Sequence, residues 1–286
     1  RRLADAKYRV YVTGSNAKML SKEVATTLGG RFFIYDAYPY SFKEYLAAQH
    51  VELKEHWEYD TIQRSEVKRH LNEYFYYGGL PEILSFKNKR AMLSSLYQKI
   101  YLGDICARNN IKNDRVLNIL IKKMAESVKQ PLSYNRLKNV IVATGSPISV
   151  PTTIDYAGYA ADSWLILPME NEVGKLTEKE MQKKYYFVDN GLLNLFLMNS
   201  ETSLLENMVA VELCRRFGKK NVFFLNAEKE IDFIVPDEKL AIQVSYSIKD
   251  ETTYNREVPP LAKYAKAHED WKCLLITYDE DGTEEG

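Results

Sequence analysis

LLENMVAVELCRRF (Leu204–Phe217) and its continuation GKKNVFFLNAEKEIDFIVPDEKLAIQVSYSI (Gly218–Ile248) decide the fold. Plotted at about 100° per residue, the first segment gathers Leu204, Leu205, Met208, Val209, Val211 and Leu213 on one side, which predicts an amphipathic helix facing a core. Glu212 falls near the centre of that apolar stripe and Glu206 at its edge. A carboxylate on a core face is costly unless it is paired, hydrogen-bonded or metal-bound. The continuation reads as three short strands, Val222–Leu225, Glu230–Val235 and Ala241–Ile248, separated by Asn226-Ala227 and by Pro236-Asp237-Glu238. Asp232 interrupts an apolar run in the second strand, and Gln243 and Ser245 share one face of the third. Thr252–His268 is expected as a helix and Trp271–Tyr278 as a strand, a parallel crossover that completes a small α/β unit.

A helix Glu, a strand Asp and a polar-x-polar pair on the next strand resemble the core of the PD-(D/E)xK nucleases. The resemblance implies Mg²⁺ on two acidic groups, here Glu206 and Asp232, and a lysine that helps activate water. Its motif favours Glu206 as the helix acid, whereas the helical stripe favours Glu212. The third acidic position reads Gln243 and the lysine position Ser245, so the constellation Glu206, Glu212, Asp232, Gln243 and Ser245 looks like a degenerate catalytic site. Ser245 cannot replace an ammonium in stabilising an attacking hydroxide. A structural reading stands beside this one, with Glu206 paired to Arg215 or Lys219 and Asp232 capping a turn.

Near the amino terminus, Tyr8–Val12 reads as a strand ending in Thr13-Gly14-Ser15-Asn16. A helix from about Ala17 to Leu28, a strand Phe32–Asp36 and a helix from Ser41 follow. That is a strand–helix–strand unit of a parallel sheet. VTGSNAKMLSKEVATTLGGRFFIYDAYPYSFKEYL resembles the second half of a prokaryotic AAA+ ATPase core, in the group with a nuclease-like carboxyl-terminal domain. The resemblance implies that Ser15 and Asn16 are remnants of an ATP sensor and that Arg31 is the arginine of a family turn. No G-x-x-x-x-G-K-[ST] phosphate loop occurs, so the chain reads as the part after the Walker motifs. ATP and Mg²⁺ are expected for a full-length family member and no cofactor for this fragment.

Between these ends, residues 51–113 read as a helical lid broken at Gly78-Gly79-Leu80-Pro81-Glu82, a turn similar to the family's G-G-x-P-E. Asp114–Lys129, Ser133–Ala143 and Ser149–Ala161 read as three helices. Trp164–Glu170 and Lys183–Val188 then read as a hairpin around Gly174, a winged-helix plan that often binds DNA. Its third helix carries no Lys or Arg, and the basic residues (Lys112, Arg115, Lys122, Lys123, Lys129, Arg136, Lys138) gather on and before the first two. Asp189-Asn190-Gly191 makes a tight turn that caps a helix Leu192–Met198.

The expected fold class is therefore α/β in four parts: an AAA+ parallel-sheet remnant (1–50), a helical lid (51–113), a winged-helix-like middle (114–190) and a nuclease-like domain (191–286). The 286 residues carry 39 basic and 39 acidic side chains, a balance that gives no global field toward nucleic acid or membrane. Cys106, Cys214 and Cys273 form no C-x-x-C pair and read as thiols of a reducing compartment. No apolar run of about 18 residues occurs, and the expected compartment is cytoplasmic. The expected function is a binding or regulatory module of an AAA+-type ATPase, with nucleic acid or a protein as partner, in an oligomer or alone. The alternative is an active Mg²⁺-dependent nuclease using Glu206 or Glu212, Asp232 and Gln243.

Overall fold

The computed structural model describes residues 8–11, 13, 33–227, 230–280 and 282–283. Ser15, Asn16, Arg31 and the helix expected over 17–28 lie outside the described residues. Of the two amino-terminal strands, the described parts (8–11 and 33–36) belong to no sheet. A strand needs a partner ladder for its backbone groups, and no described neighbour supplies one here; Tyr11, Phe33 and Tyr35 stand exposed.

Residues 36–40 join this segment to the rest of the chain. Lys219 Nζ lies 3.4 Å from Asp36, the Tyr38 ring meets Trp164 edge-on at 5.4 Å, and the Tyr40 N–H donates to the Gly79 carbonyl at 2.8 Å. Helix α1 (Phe42–Ala48) then starts in a reciprocal cap between Ser41 and Glu44. Helix α2 (Thr61–Tyr77) is capped by Asp60, and α3 (Lys89–Gln98) runs on as a π-helical stretch through Ala107.

The middle of the chain folds as α4 (Asp114–Glu126), β1 (Leu132–Ser133), α5 (Tyr134–Ala143), α6 (Val150–Asp162), β2 (Ile166–Met169), α7 (Leu176–Met181) and β3 (Gln182–Phe187). Val116, Leu117, Leu120, Ile121 and Met124 form the buried stripe of α4. Ser133 and Ser149 accept the Arg136 and Thr152 N–H groups, the expected caps of α5 and α6. The strands make an antiparallel sheet in the order β1-β3-β2, with Ile166 opposite Phe187 and Met169 opposite Lys184. The expected hairpin pairs, but its connection is not a simple loop around Gly174. It holds α7, whose Glu178 side chain accepts the Lys175 N–H.

A short α8 (Asn190–Asn194) leads to α9 (Glu201–Phe217), and the helix expected to reach Met198 ends at Asn194. A second sheet, β4 (Phe223–Asn226), β5 (Glu230–Val235), β6 (Leu240–Val244) and β7 (Lys272–Ile276), runs in that order; β6 and β7 are parallel and joined by α10 (Glu251–Ala267). Ile231, Ile234 and Ala241 pack with Leu261 of α10, while Phe233, Val235, Ile242 and Val244 join the main core. Burial on both faces explains why β5 reads as an almost continuous apolar run. The two sheets touch where Glu170 and Glu172 exchange backbone hydrogen bonds with Phe224 of β4. The chain is α/β, and no helix among the described residues is long and apolar enough to cross a membrane.

Candidate functional site

Side chains alternate along β3, so Lys184 and Tyr186 project from the same face while Tyr185 points away. That face is covered by α9 and by the β4–β5 end of the second sheet. Lys184 is completely buried, a rare state for a lysine, and is held by charge. Its Nζ lies 3.4 Å from Glu206 Oε1 on α9, 3.2 Å from Asp232 Oδ1 on β5 and 3.1 Å from Glu230 Oε1 at the start of β5. The Phe224 ring sits 5.6 Å from the ammonium. The Tyr186 hydroxyl donates to Glu206 Oε1 at 2.8 Å, and Asp232 Oδ2 accepts the Val244 N–H at 2.9 Å. Glu206, Asp232 and Lys184 are buried; the Glu230 side chain is 47% exposed and is the cluster's one edge toward solvent among these four.

Gln243 meets this cluster through the Asp232 backbone, and Ser245 makes a structural bond of its own. Gln243 Oε1 accepts the Asp232 N–H, and its amide donates to Glu257 of α10, which Arg256 holds from outside. The Ser245 hydroxyl donates to the Ser247 carbonyl. Glu212 stands apart. It pairs with Arg216 at 2.6 Å and Arg215 at 3.2 Å, and its side chain is 34% exposed. The stripe reading failed because α9 is buried on nearly every face, with Glu206, Asn207, Ala210 and Cys214 as enclosed as its leucines. A helix wrapped by core has no single apolar side on which to rank its residues. The pairing of Glu206 with Arg215 or Lys219 is overturned too: those cations reach Glu44 and Asp36, and Glu206 takes Lys184 instead. Asp232 caps no turn; it bonds across the ladder to β6.

Burial pushes the Glu206 carboxyl above the ordinary glutamate range and the Asp232 charge adds to this, while Lys184 and the Tyr186 hydroxyl pull it back. For Lys184 burial opposes the charge, but Glu206, Asp232 and Glu230 together outweigh it and hold the ammonium above the usual lysine range. Burial and the neighbouring carboxylates keep the Tyr186 hydroxyl protonated.

The residues do not fit a resident Mg²⁺. That ion demands oxygens at about 2.0–2.1 Å in near-octahedral array. Here the carboxylates stand 3.1–3.4 Å from a lysine nitrogen that already supplies the positive charge. Among the described residues no three His, Cys, Asp or Glu side chains are grouped to hold a metal.

Sequence reasoning missed Lys184, Tyr186 and Glu257. The available signal was a lysine inside a strand whose next four residues, Tyr185 to Val188, are all aromatic or apolar, where an ammonium needs a buried acid.

A second polar cluster joins the same strand and helix. The Asn207 side chain accepts the Phe187 N–H at 2.7 Å and donates to the Phe187 and Asn190 oxygens. Asn190 in turn donates to the Phe75 and Leu204 carbonyls. Beside it the buried Asp189 carboxylate accepts the Gly79 N–H at 2.7 Å and the Gly191 N–H at 2.8 Å. The Gly-Gly turn packs so closely that a Cβ on Gly78 would lie 2.0 Å from Asp189 Oδ1, and one on Gly79 2.3 Å from the Tyr40 carbonyl.

Residues 1–46 match the model of an AAA domain, and residues 68–203 match a domain of unknown function. An uncharacterized protein of Methanocaldococcus jannaschii is 32% identical over 298 residues, taking in 99% of this chain and 66% of its own length. An uncharacterized protein of Haemophilus influenzae is 32% identical over 251 residues, 85% of this chain and 60% of its own. The chain thus spans under two thirds of each relative. No solved structure matches it. The first 46 residues relate the chain to AAA-type ATPases.

Proposed function

We propose that this chain is the carboxyl-terminal portion of an AAA-type ATPase, and that its last α/β unit is a nuclease-like fold retained for binding and regulation. The observation that carries this reading is the state of the four motif positions. Glu206 and Asp232 are both engaged by one enclosed lysine, and Gln243 and Ser245 are tied into structural hydrogen bonds. An ammonium without exposed surface has no access to an attacking water or a phosphate, and catalysis by electrostatic stabilisation needs donors aimed at the reacting atoms. The winged-helix reading of residues 114–190 is supported by the order helix, strand, two helices, paired strands. Its exposed cations Arg115, Lys122, Lys129 and Arg136, with Lys112 just ahead of α4, are the phosphate contacts we assign to a nucleic-acid partner.

Two measurements test the proposal. Incubation with DNA and RNA in Mg²⁺ or Mn²⁺ is expected to leave both intact; cleavage that disappears in Asp232→Ala would overturn it. Fluorescence anisotropy with labelled duplex is expected to show binding that weakens steeply between about 50 and 200 mM salt. Absence of binding at every salt concentration replaces the nucleic acid with a protein partner.

A further inference from the structure

We infer that the pocket formed by Glu206, Asp232 and Glu230 is a site for a primary ammonium, which Lys184 fills from the neighbouring strand. A lysine ammonium carries three N–H donors and no acceptor. Three carboxylates, on α9 and β5, surround it at 3.1–3.4 Å: Glu206 and Asp232 accept hydrogen bonds from Nζ, and Glu230 completes the set as an ion pair. The acceptors are themselves oriented: Tyr186 donates to Glu206, and the Val244 N–H donates to Asp232. A ring, Phe224, faces the cation at 5.6 Å, a cation–π contact that adds to the attraction.

Each alternative cation fails on one of these points. A divalent metal would draw the oxygens about 1 Å closer than they stand, given its bond lengths. A guanidinium is planar and presents a fork, and does not match three acceptors around one nitrogen. A quaternary ammonium has the charge but no N–H. The site therefore selects by hydrogen-bond geometry as well as charge. Because Lys184 belongs to β3 while its acceptors belong to α9 and β5, the cation also locks the first sheet to the second.

Chemical rescue tests this. Lys184→Ala removes the atoms of one n-propylammonium ion and leaves the Glu230 edge as an entry. The expected result is a lowered Tm that rises saturably with n-propylammonium chloride, with no such rise for tetramethylammonium, Mg²⁺ or Mn²⁺ at matched ionic strength. The native chain should respond to none of them. Rescue by Mg²⁺ or Mn²⁺ equal to that by the amine overturns the inference in favour of a metal site, and equal effects of all salts overturn it in favour of screening. Should Lys184→Ala fail to fold, the pair Lys184→Met and Lys184→Met/Glu206→Gln decides. Recovery of Tm in the double variant supports charge balance as the lysine's role, and no recovery overturns it. Nucleic-acid affinity of the native chain is a separate readout, so this inference and the proposed function can fail independently.

Discussion

Two buried polar clusters sit on one strand–helix pair, β3 and α9, and they keep polar groups in the interior by opposite means. At Lys184 and Glu206, charge is set against charge: one ammonium, three carboxylates and a tyrosine hydroxyl. Three residues further along the strand, Phe187, Asn207 and Asn190 exchange neutral amide hydrogen bonds, and the one carboxylate beside them, Asp189, takes its partners from backbone N–H groups. The first arrangement depends on a single cation, and all its members fail together when that cation is lost. The second spreads its dependence over many weak donors. A buried ion pair costs much desolvation and repays it only in good geometry, whereas a satisfied amide network carries no net charge to hydrate.

The comparison is broken most directly by removing Lys184. Lys184→Met keeps the volume and deletes the charge, leaving Glu206 and Asp232 enclosed without a counter-ion. Breaking a buried pair in this way costs about 3–5 kcal/mol, and urea denaturation at pH 8 should show a loss of that size. Asp189→Ala leaves the Gly79 and Gly191 N–H groups without acceptors, at about 1–3 kcal/mol for each, but it also removes a carboxylate whose ionised form burial disfavours, so the net loss should stay below that at Lys184. A loss at Asp189 as large as that at Lys184 would remove the distinction between the clusters.

The pH dependence sharpens it. Burial raises the Asp189 carboxyl to about 6, against backbone hydrogen bonds from Gly79, Gly191 and Leu192 that lower it. A carboxyl whose folded value lies above its unfolded one binds its proton more tightly in the native state. Its contribution is complete below about pH 4 and is lost as pH rises through 6. A shift of this size corresponds to about 3 kcal/mol. Native stability should therefore decline between pH 4 and 6, and Asp189→Asn should flatten that decline. Glu206 is shifted in the same direction, so part of the slope persists in the variant and continues above its ordinary range. An unchanged slope in Asp189→Asn would show that the proton is held elsewhere.

How much of this was legible in the residues differs between the clusters for the same reason. Glu206 and Asp232 announce themselves because a carboxylate in an apolar run is expensive and therefore noticeable. Lys184 does not, since a strand lysine ordinarily carries its head to water along a flexible stem. Tyr77-Gly78-Gly79-Leu80-Pro81 and Asp189-Asn190-Gly191 both read locally as turns; the first is the break between α2 and a short 3-10 helix at Pro81–Ile83, and the second is the capped first turn of α8, with Asp189 as its N-cap. Their docking on each other, 110 residues apart, is a tertiary fact that no local pattern encodes. The amino-terminal strands read well from β-branched and aromatic content, yet strand propensity expresses fit to a neighbouring ladder, and the described residues offer none there.

The smallest expected effect belongs to the residue that the helical pattern ranked first. Glu212 has charge partners at 2.6 and 3.2 Å, geometry no worse than that around Lys184, but Arg216 is 65% exposed and Glu212 itself a third exposed. Water screens such a pair, and exposed ion pairs one helical turn apart contribute about 0.3–0.5 kcal/mol. Arg215 keeps a second carboxylate in Glu44, so truncating Glu212 strands no charge. Glu212→Ala should therefore shift the urea midpoint by well under 1 kcal/mol in free energy and leave the n-propylammonium rescue of Lys184→Ala intact. A loss of several kcal/mol, or a weakened rescue, would mean that the end of α9 and the Lys184 cluster act as one unit. Distance between contacts, not burial, would then be the better guide to what a charge does in this protein.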